Sequence, residues 1–239
     1  LDEASPIDQG EVILRINAPY ASFGLYETAI CGILSSCTAW ATAARECVDA
    51  AGGVPVVSFG ARHVHPSVVG IMEYSAVVGG CVSCSSVLGA RLTDLTPSGT
   101  MPHALILVMG DTLRAVQAFD RHMPPDVPRV ALVDTYHDEA EEAIRIARAM
   151  RENLRGVRLD TAKERGGVTS DLVHEVRARL DQAGFNHRIE PIPGWLQRHR
   201  RRLPPATDVL KTEPAGPVTY KGDSPKRQNS ARSFALDRT

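Results

Sequence analysis

Short apolar runs that stop abruptly at polar or charged residues constrain this 239-residue chain more than any other feature. Val54-Pro55-Val56-Val57, Ala104-Leu105-Ile106-Leu107-Val108 and Val130-Ala131-Leu132-Val133 contain no polar side chain, which is the pattern of strands covered on both faces. Stretches with helical spacing lie between them. The spacing predicts strands over 55–59, 103–109, 129–133 and 156–159, and helices over 67–78, 112–122, 137–153 and 170–183. Strands and helices in alternation imply a parallel sheet or barrel. Upstream, Val12, Leu14 and Ile16 alternate in a predicted strand over 11–20 that has one buried face and ends at Pro19. Residues 24–51 are rich in Ala, Leu, Ile and Glu, lack Pro, and predict a long helix that stops at Gly52-Gly53.

The polar residues that end these runs mark a site. Arg62 and His63 follow the first strand, Asp134 and Thr135 the strand over 129–133, and Asp160 and Thr161 the strand over 156–159. All fall at carboxyl ends, where open sheets and barrels place their ligands. Cationic Arg62 and Arg158, with His103, beside Asp134, Asp138 and Asp160 suit a phosphorylated substrate and its divalent metal. Ordinary ion pairs between loops account for the pattern equally well.

Charge divides the chain. Residues 1–185 hold 16 Lys and Arg against 23 Asp and Glu, a net of −7, whereas residues 186–239 hold 11 against 5, a net of +6, and 7 of the 16 prolines. That tail has no sustained apolar periodicity beyond stretches such as Val218-Thr219-Tyr220, so it is expected to be extended or disordered. Its arginines, including Arg198, Arg200, Arg201 and Arg202, read as a solvated peptide rather than a nucleic-acid or membrane contact. Five cysteines form an odd set without a disulfide framework, and Cys81-Val82-Ser83-Cys84 reads as buried small residues rather than a zinc or redox motif. The chain has no apolar run long enough for a membrane span, and its start lacks a secretory pattern, so a cytoplasmic location is expected. Its first residue, Leu1, points to a fragment or processed product.

Five blocks occur in an informative order: Ile16-Asn17-Ala18-Pro19-Tyr20 with Glu27-Thr28-Ala29; Phe59-Gly60-Ala61-Arg62 with His65-Pro66; Gly99-Thr100-Met101-Pro102-His103-Ala104; Leu132-Val133-Asp134-Thr135 with Asp138-Glu139; and Gly156-Val157-Arg158-Leu159-Asp160-Thr161. Together they resemble the archaeal-type branch of the nicotinate phosphoribosyltransferase family, from about residue 11 to 187. The resemblance implies an irregular, incomplete α/β barrel of the type II phosphoribosyltransferase kind with part of an added open-faced domain. Residues 1–52 would belong to the added domain and long helix, 53–187 to the barrel and 188–239 to the tail. It further implies a homodimeric ligase that joins nicotinate to phosphoribosyl pyrophosphate, with Mg²⁺ and with ATP coupled through a phosphohistidine, in the salvage route to NAD. His103 matches the phosphorylated position, Asp134 and Asp160 match acids around the ribose and metal, and Arg62 matches the arginine near the nicotinate carboxylate and pyrophosphate. His63, Ser85, Thr100, Thr135 and Arg158 match substrate-binding positions.

Departures accompany the match. His63 stands where the family has a second arginine, which makes one phosphate contact dependent on pH. Val82-Ser83-Cys84-Ser85 replaces an Asp-Gly ahead of the serine, and Gly166-Gly167-Val168 follows the family's basic loop only roughly. No aspartate-x-tyrosine start precedes the match, and no Ser-Gly-Gly occurs anywhere in the sequence. Arg188-Ile189-Glu190-Pro191-Ile192-Pro193 stands where another apolar strand is expected. Loss of Gly-rich phosphate turns predicts weak substrate binding and little turnover. The alternative reading is a truncated or frameshifted remnant, or a ligand-binding pseudoenzyme of the same fold. Either leaves unpaired strand edges and uncovered apolar helix faces.

Overall fold

The computed structural model describes residues 2–185 and the strands Glu190–Pro193 and Val218–Tyr220. In chain order the elements are α1 (Tyr20–Phe23), α2 (Glu27–Ala50), β1 (Val56–Ser58), α3 (Val69–Val78), β2 (Ser83–Cys84), α4 (Val87–Leu92), α5 (His103–Met109), α6 (Thr112–His122), β3 (Val130–Leu132), α7 (Glu139–Met150), β4 (Gly156–Leu159), α8 (Ser170–Gln182), β5 (Glu190–Pro193) and β6 (Val218–Tyr220). The strands form two parallel three-stranded sheets, ordered β2-β1-β6 and β3-β4-β5.

The second sheet carries the larger core. Ala131, Leu132, Val133, Val157 and Leu159 are fully enclosed beneath Ile146 and Ala147 of α7, Val176 and Leu180 of α8, and Ala115 of α6. Each buried Leu, Ile or Val here contributes about 1.5–3 kcal/mol relative to exposure. Hydroxyl and carboxylate caps set the helix starts. Asp111 accepts from Arg114 N at α6, Asp138 from Ala140 N and Glu141 N at α7, and Thr169 from Leu172 N at α8. Arg129 closes the α6–β3 connection by donating to Asp120 and to the carbonyls of Met123, Pro124 and Val127.

Ahead of the basic tail, the strands and helices follow the apolar pattern except in three places. Residues 11–17 form no regular element and join no sheet, and Val12 is 70% exposed, so the alternation there buries no face among the described residues. The run at 103–109 is a helix rather than a strand. A short apolar run fits either state, and burial decides this one: Ile106 is fully buried, Leu105 and Met109 pack beside it, and Leu107 and Val108 face outward. Such one-sided packing is helical, and Gly110 in the left-handed region ends it. The two-residue strand β2 and helix α4 sit in small-residue sequence without a periodic signal.

Two elements lie in the basic tail. β5 pairs with β4 at the place where the resemblance implies an apolar strand and the composition of the tail argues against one, and β6 is the Val218-Thr219-Tyr220 stretch, paired with β1. Pro191 and Pro193 are two residues apart, so the donors they lack fall on one edge of β5 and leave the other edge to pair. The disorder expected for the rest of 188–239 lies outside the described residues. Ile33 on α2 and Leu25 in the turn just before it stand exposed, in line with the expectation of uncovered apolar faces.

A buried carboxylate fixes the first half. Glu73 of α3 is fully enclosed and accepts from Ser85 N (3.0 Å), Ser85 Oγ (2.6 Å), Ser86 N (2.9 Å) and Ser86 Oγ. Gly89 of α4 lets it in, because a Cβ there would stand 2.5 Å from Glu73 Oε2 and 2.7 Å from Glu73 Cβ. Gly89→Ala is expected to destabilise the protein by about 2 kcal/mol or more through overpacking. Urea unfolding checks it, and an unchanged midpoint would remove the close contact from the account.

Candidate functional site

Three of the polar strand ends meet in one cleft of ≈ 600 Å³, lined by Arg62, His63, His103, Asp134, Thr135, Asp160, Ala162, Lys163, Glu164 and Arg165. Arg62 and His63 come from the turn after β1, Asp134 and Thr135 from the end of β3, and Asp160 with 162–165 from the loop after β4. His103 enters from the first residue of α5. The cleft mixes cations with two carboxylates at strand carboxyl ends, as the sequence predicts.

Arg158 lies beneath the cleft rather than in its wall. It is only 4% exposed, donates through Nη2 to Asp160 Oδ2 (2.6 Å) and through Nη1 to Thr100 Oγ1 (2.8 Å), and covers the Phe59 ring at 5.3 Å. Desolvation lowers its pKa, Asp160 and Asp134 oppose the fall, and Arg62 adds to it. A guanidinium stays charged under such a shift, so Arg158 acts as a fixed positive post. Thr100 contributes to the site through Arg158, not through the lining.

His103 Nε2 stands 3.0 Å from Asp134 Oδ2. A carboxylate only accepts, so this contact places a proton on Nε2, and in the neutral ring that leaves Nδ1 with its lone pair. The second oxygen, Asp134 Oδ1, is buried without a hydrogen-bond partner among the described residues, as is Thr135 Oγ1. Buried polar atoms of this kind require a ligand or water. Arg165 Nη1 donates to the backbone carbonyl of Asp134 at 3.0 Å.

Two expected site residues have other work. The hydroxyl proton of Ser85 is donated to Glu73, and Ser85 does not line the cleft. Asp138 is the N-cap of α7, and its Oδ1 accepts from Ala140 N and Glu141 N. Sequence reasoning missed Phe59, Glu139, Lys163, Glu164 and Arg165 as site components. The last three were legible as charges in the loop that follows β4, four to six residues past its end, at the carboxyl end of their strand as Asp134 is, two residues past the end of β3.

The Cys81 and Cys84 thiols are both buried. Burial pushes Cys81 up to about 12, and burial with the nearby Glu73 carboxylate pushes Cys84 up to about 11. Neither is a ready nucleophile or metal ligand. The described residues contain no group of three His, Cys, Asp or Glu arranged to hold a metal, and no helix among them is long and apolar enough to cross a membrane. At pH 8 the thiolate fraction is about one in a thousand at Cys84 and about one in ten thousand at Cys81. Iodoacetamide is therefore expected to label exposed Cys31 and spare both. Mass mapping of the native protein checks this, and early labelling of either buried thiol would contradict it.

Comparison with known proteins bears on the family and the fold. The family model described as quinolinate phosphoribosyl transferase, C-terminal domain, matches residues 40–189. A nicotinate phosphoribosyltransferase of Mycobacterium tuberculosis is 31% identical over 188 residues, 77% of this chain and 39% of that protein. One from Bacillus subtilis is 30% identical over 191 residues, 77% of this chain and 37% of that protein. The chain thus spans less than half the length of these relatives. A solved structure of nicotinate-nucleotide pyrophosphorylase from Pyrococcus furiosus superposes with a TM-score of 0.75 at 38% identity, covering 84% of this chain and 50% of that one.

Proposed function

The chain belongs to the family of the quinolinate phosphoribosyl transferase C-terminal domain, and on that footing we propose that its cleft serves phosphoribosyl transfer to nicotinate. The reaction joins the ring nitrogen of nicotinate to C1 of phosphoribosyl pyrophosphate, giving nicotinate mononucleotide and releasing pyrophosphate. The observation that carries this reading is the pairing of the cationic rim at Arg62, Lys163 and Arg165 with two carboxylates at the strand ends, one of which keeps an unsatisfied buried oxygen.

Each residue has a role its chemistry supports. Arg62 has a permanent charge and forked donors, suited to the nicotinate carboxylate or a phosphate. Asp134 and Asp160 accept ribose hydroxyls and oppose the positive charge that develops on the sugar as pyrophosphate leaves. Asp134 Oδ1, buried and without a hydrogen-bond partner among the described residues, would serve as a protein ligand to a magnesium ion carried by the substrate phosphates. Such an ion would supply charge neutralisation on the leaving pyrophosphate. In the ATP-coupled form of the reaction, His103 Nδ1 accepts the γ-phosphoryl group as ADP leaves, while Asp134 stabilises the imidazole through Nε2.

A binding protein of the same fold without turnover is the second reading, favoured by the absence of any Ser-Gly-Gly in the sequence. Nicotinate, phosphoribosyl pyrophosphate and magnesium, with and without ATP, separate the two when mononucleotide formation and calorimetric binding are measured on one preparation. The expected result is turnover well below that of the Mycobacterium tuberculosis relative, falling by about tenfold or more in Asp134→Asn, with the ATP stimulation lost in His103→Ala. Binding without any turnover selects the second reading. No binding of phosphoribosyl pyrophosphate sinks both.

A further inference from the structure

Glu139 is a buried acid in the first turn of α7, only 5% exposed, and neither the helix nor the reaction described above requires it there. Its Oε1 accepts the Thr161 hydroxyl at 2.8 Å and faces Arg165 Nη2 at 3.6 Å. Arg165 in turn donates to the Asp134 carbonyl. One carboxylate on the β3–α7 side therefore holds two residues of the β4–α8 loop at the mouth of the cleft.

That loop has a self-contained shape. The turn Lys163–Arg165 closes on Ala162 O, which accepts from Arg165 N and Gly167 N at 3.0 Å each. Gly166 (φ 102°) and Gly167 (φ 71°) take left-handed conformations that let the chain leave sharply. Backbone bonds thus set the form of the turn but not its position against β3. Its position depends on side chains that reach across, and those of Thr161 and Arg165 both end on Glu139. Arg165 remains about half exposed in the cleft, with donors left for an anion.

We propose that Glu139 is a positioning residue of the cleft, acting through Arg165, and that Arg165 contacts the pyrophosphate moiety of the substrate. This rests on the phosphoribosyl-transfer reading. A free arginine loses rotamer entropy when it grips a phosphate; one already held between a carboxylate and a carbonyl loses less. Glu139 supplies that preorganisation, and it outweighs the repulsion that its charge exerts on an incoming anion because Arg165 and Thr161 already engage it.

The test is a double-mutant cycle read by calorimetric binding of inorganic pyrophosphate. Glu139→Ala and Arg165→Ala are each expected to weaken binding about tenfold, and Glu139→Ala is expected to add nothing in the Arg165→Ala background. Glu139→Gln keeps an acceptor for Thr161 but loses the charge facing Arg165, so it falls between wild type and Glu139→Ala. Glu141→Ala, in the same first turn but exposed, controls for the helix terminus and is expected to bind as wild type. Unchanged or tighter binding in Glu139→Ala, or additive losses in the cycle, would overturn the proposal. If the wild type binds neither pyrophosphate nor phosphoribosyl pyrophosphate, the functional reading fails, and amide exchange over residues 161–167 decides the role of Glu139 alone. Faster exchange in Glu139→Ala supports that role, and unchanged exchange refutes it.

Discussion

The cleft depends on one guanidinium that substrate does not need to touch. Arg158 reaches from β4 to Asp160 on its own strand end, to Thr100 ahead of α5, and to the face of Phe59 after β1. Those three segments carry or flank most of the site. Burial of a charge is tolerated only where partners replace water, and here the partners are the walls of the cleft themselves. Loss of Arg158 would remove a buried hydrogen-bonded cation from Asp160 and would release the loop that delivers His103.

A second tie acts at a distance. Glu73 gathers four donors from Ser85 and Ser86, while Ser98 N donates to Cys84 O and Ser83 Oγ to Thr96 O. The segment leading to Thr100 is thereby fastened to β2, and β2 to α3. The structure spends Ser85 on this fastening, although family resemblance marks it for substrate. A hydroxyl has one proton, and a carboxylate beneath it takes that proton before any phosphate can.

Much of this was legible from the sequence. Uninterrupted apolar runs located β1, β3 and β4, and the polar residues after them located Arg62, Asp134, Thr135 and Asp160. The misreadings share a cause: local pattern does not report what lies on the other side. Ala104 to Met109 reads as a strand until Val108 is seen in solvent, and Val12 to Ile16 alternate without a surface to cover. Glu139 and Glu73 look like ordinary helix acids, because only tertiary structure shows that donors converge on them. β5 was hidden by its prolines, whose spacing strips one edge of donors yet leaves the other able to pair.

The strand order also separates the two sheets in time. β3 and β4 and the helices α6, α7 and α8 are consecutive, so their core can close while the contacts remain short in sequence. β1 has β2 on one side close behind it, but its other neighbour is β6, so that side stays open until residues 218–220 have been made. Non-local pairing of this kind is slow. During synthesis the acidic residues 1–185 would carry an unsatisfied strand edge, and the stretch at 218–220 that finally covers it sits within the basic segment.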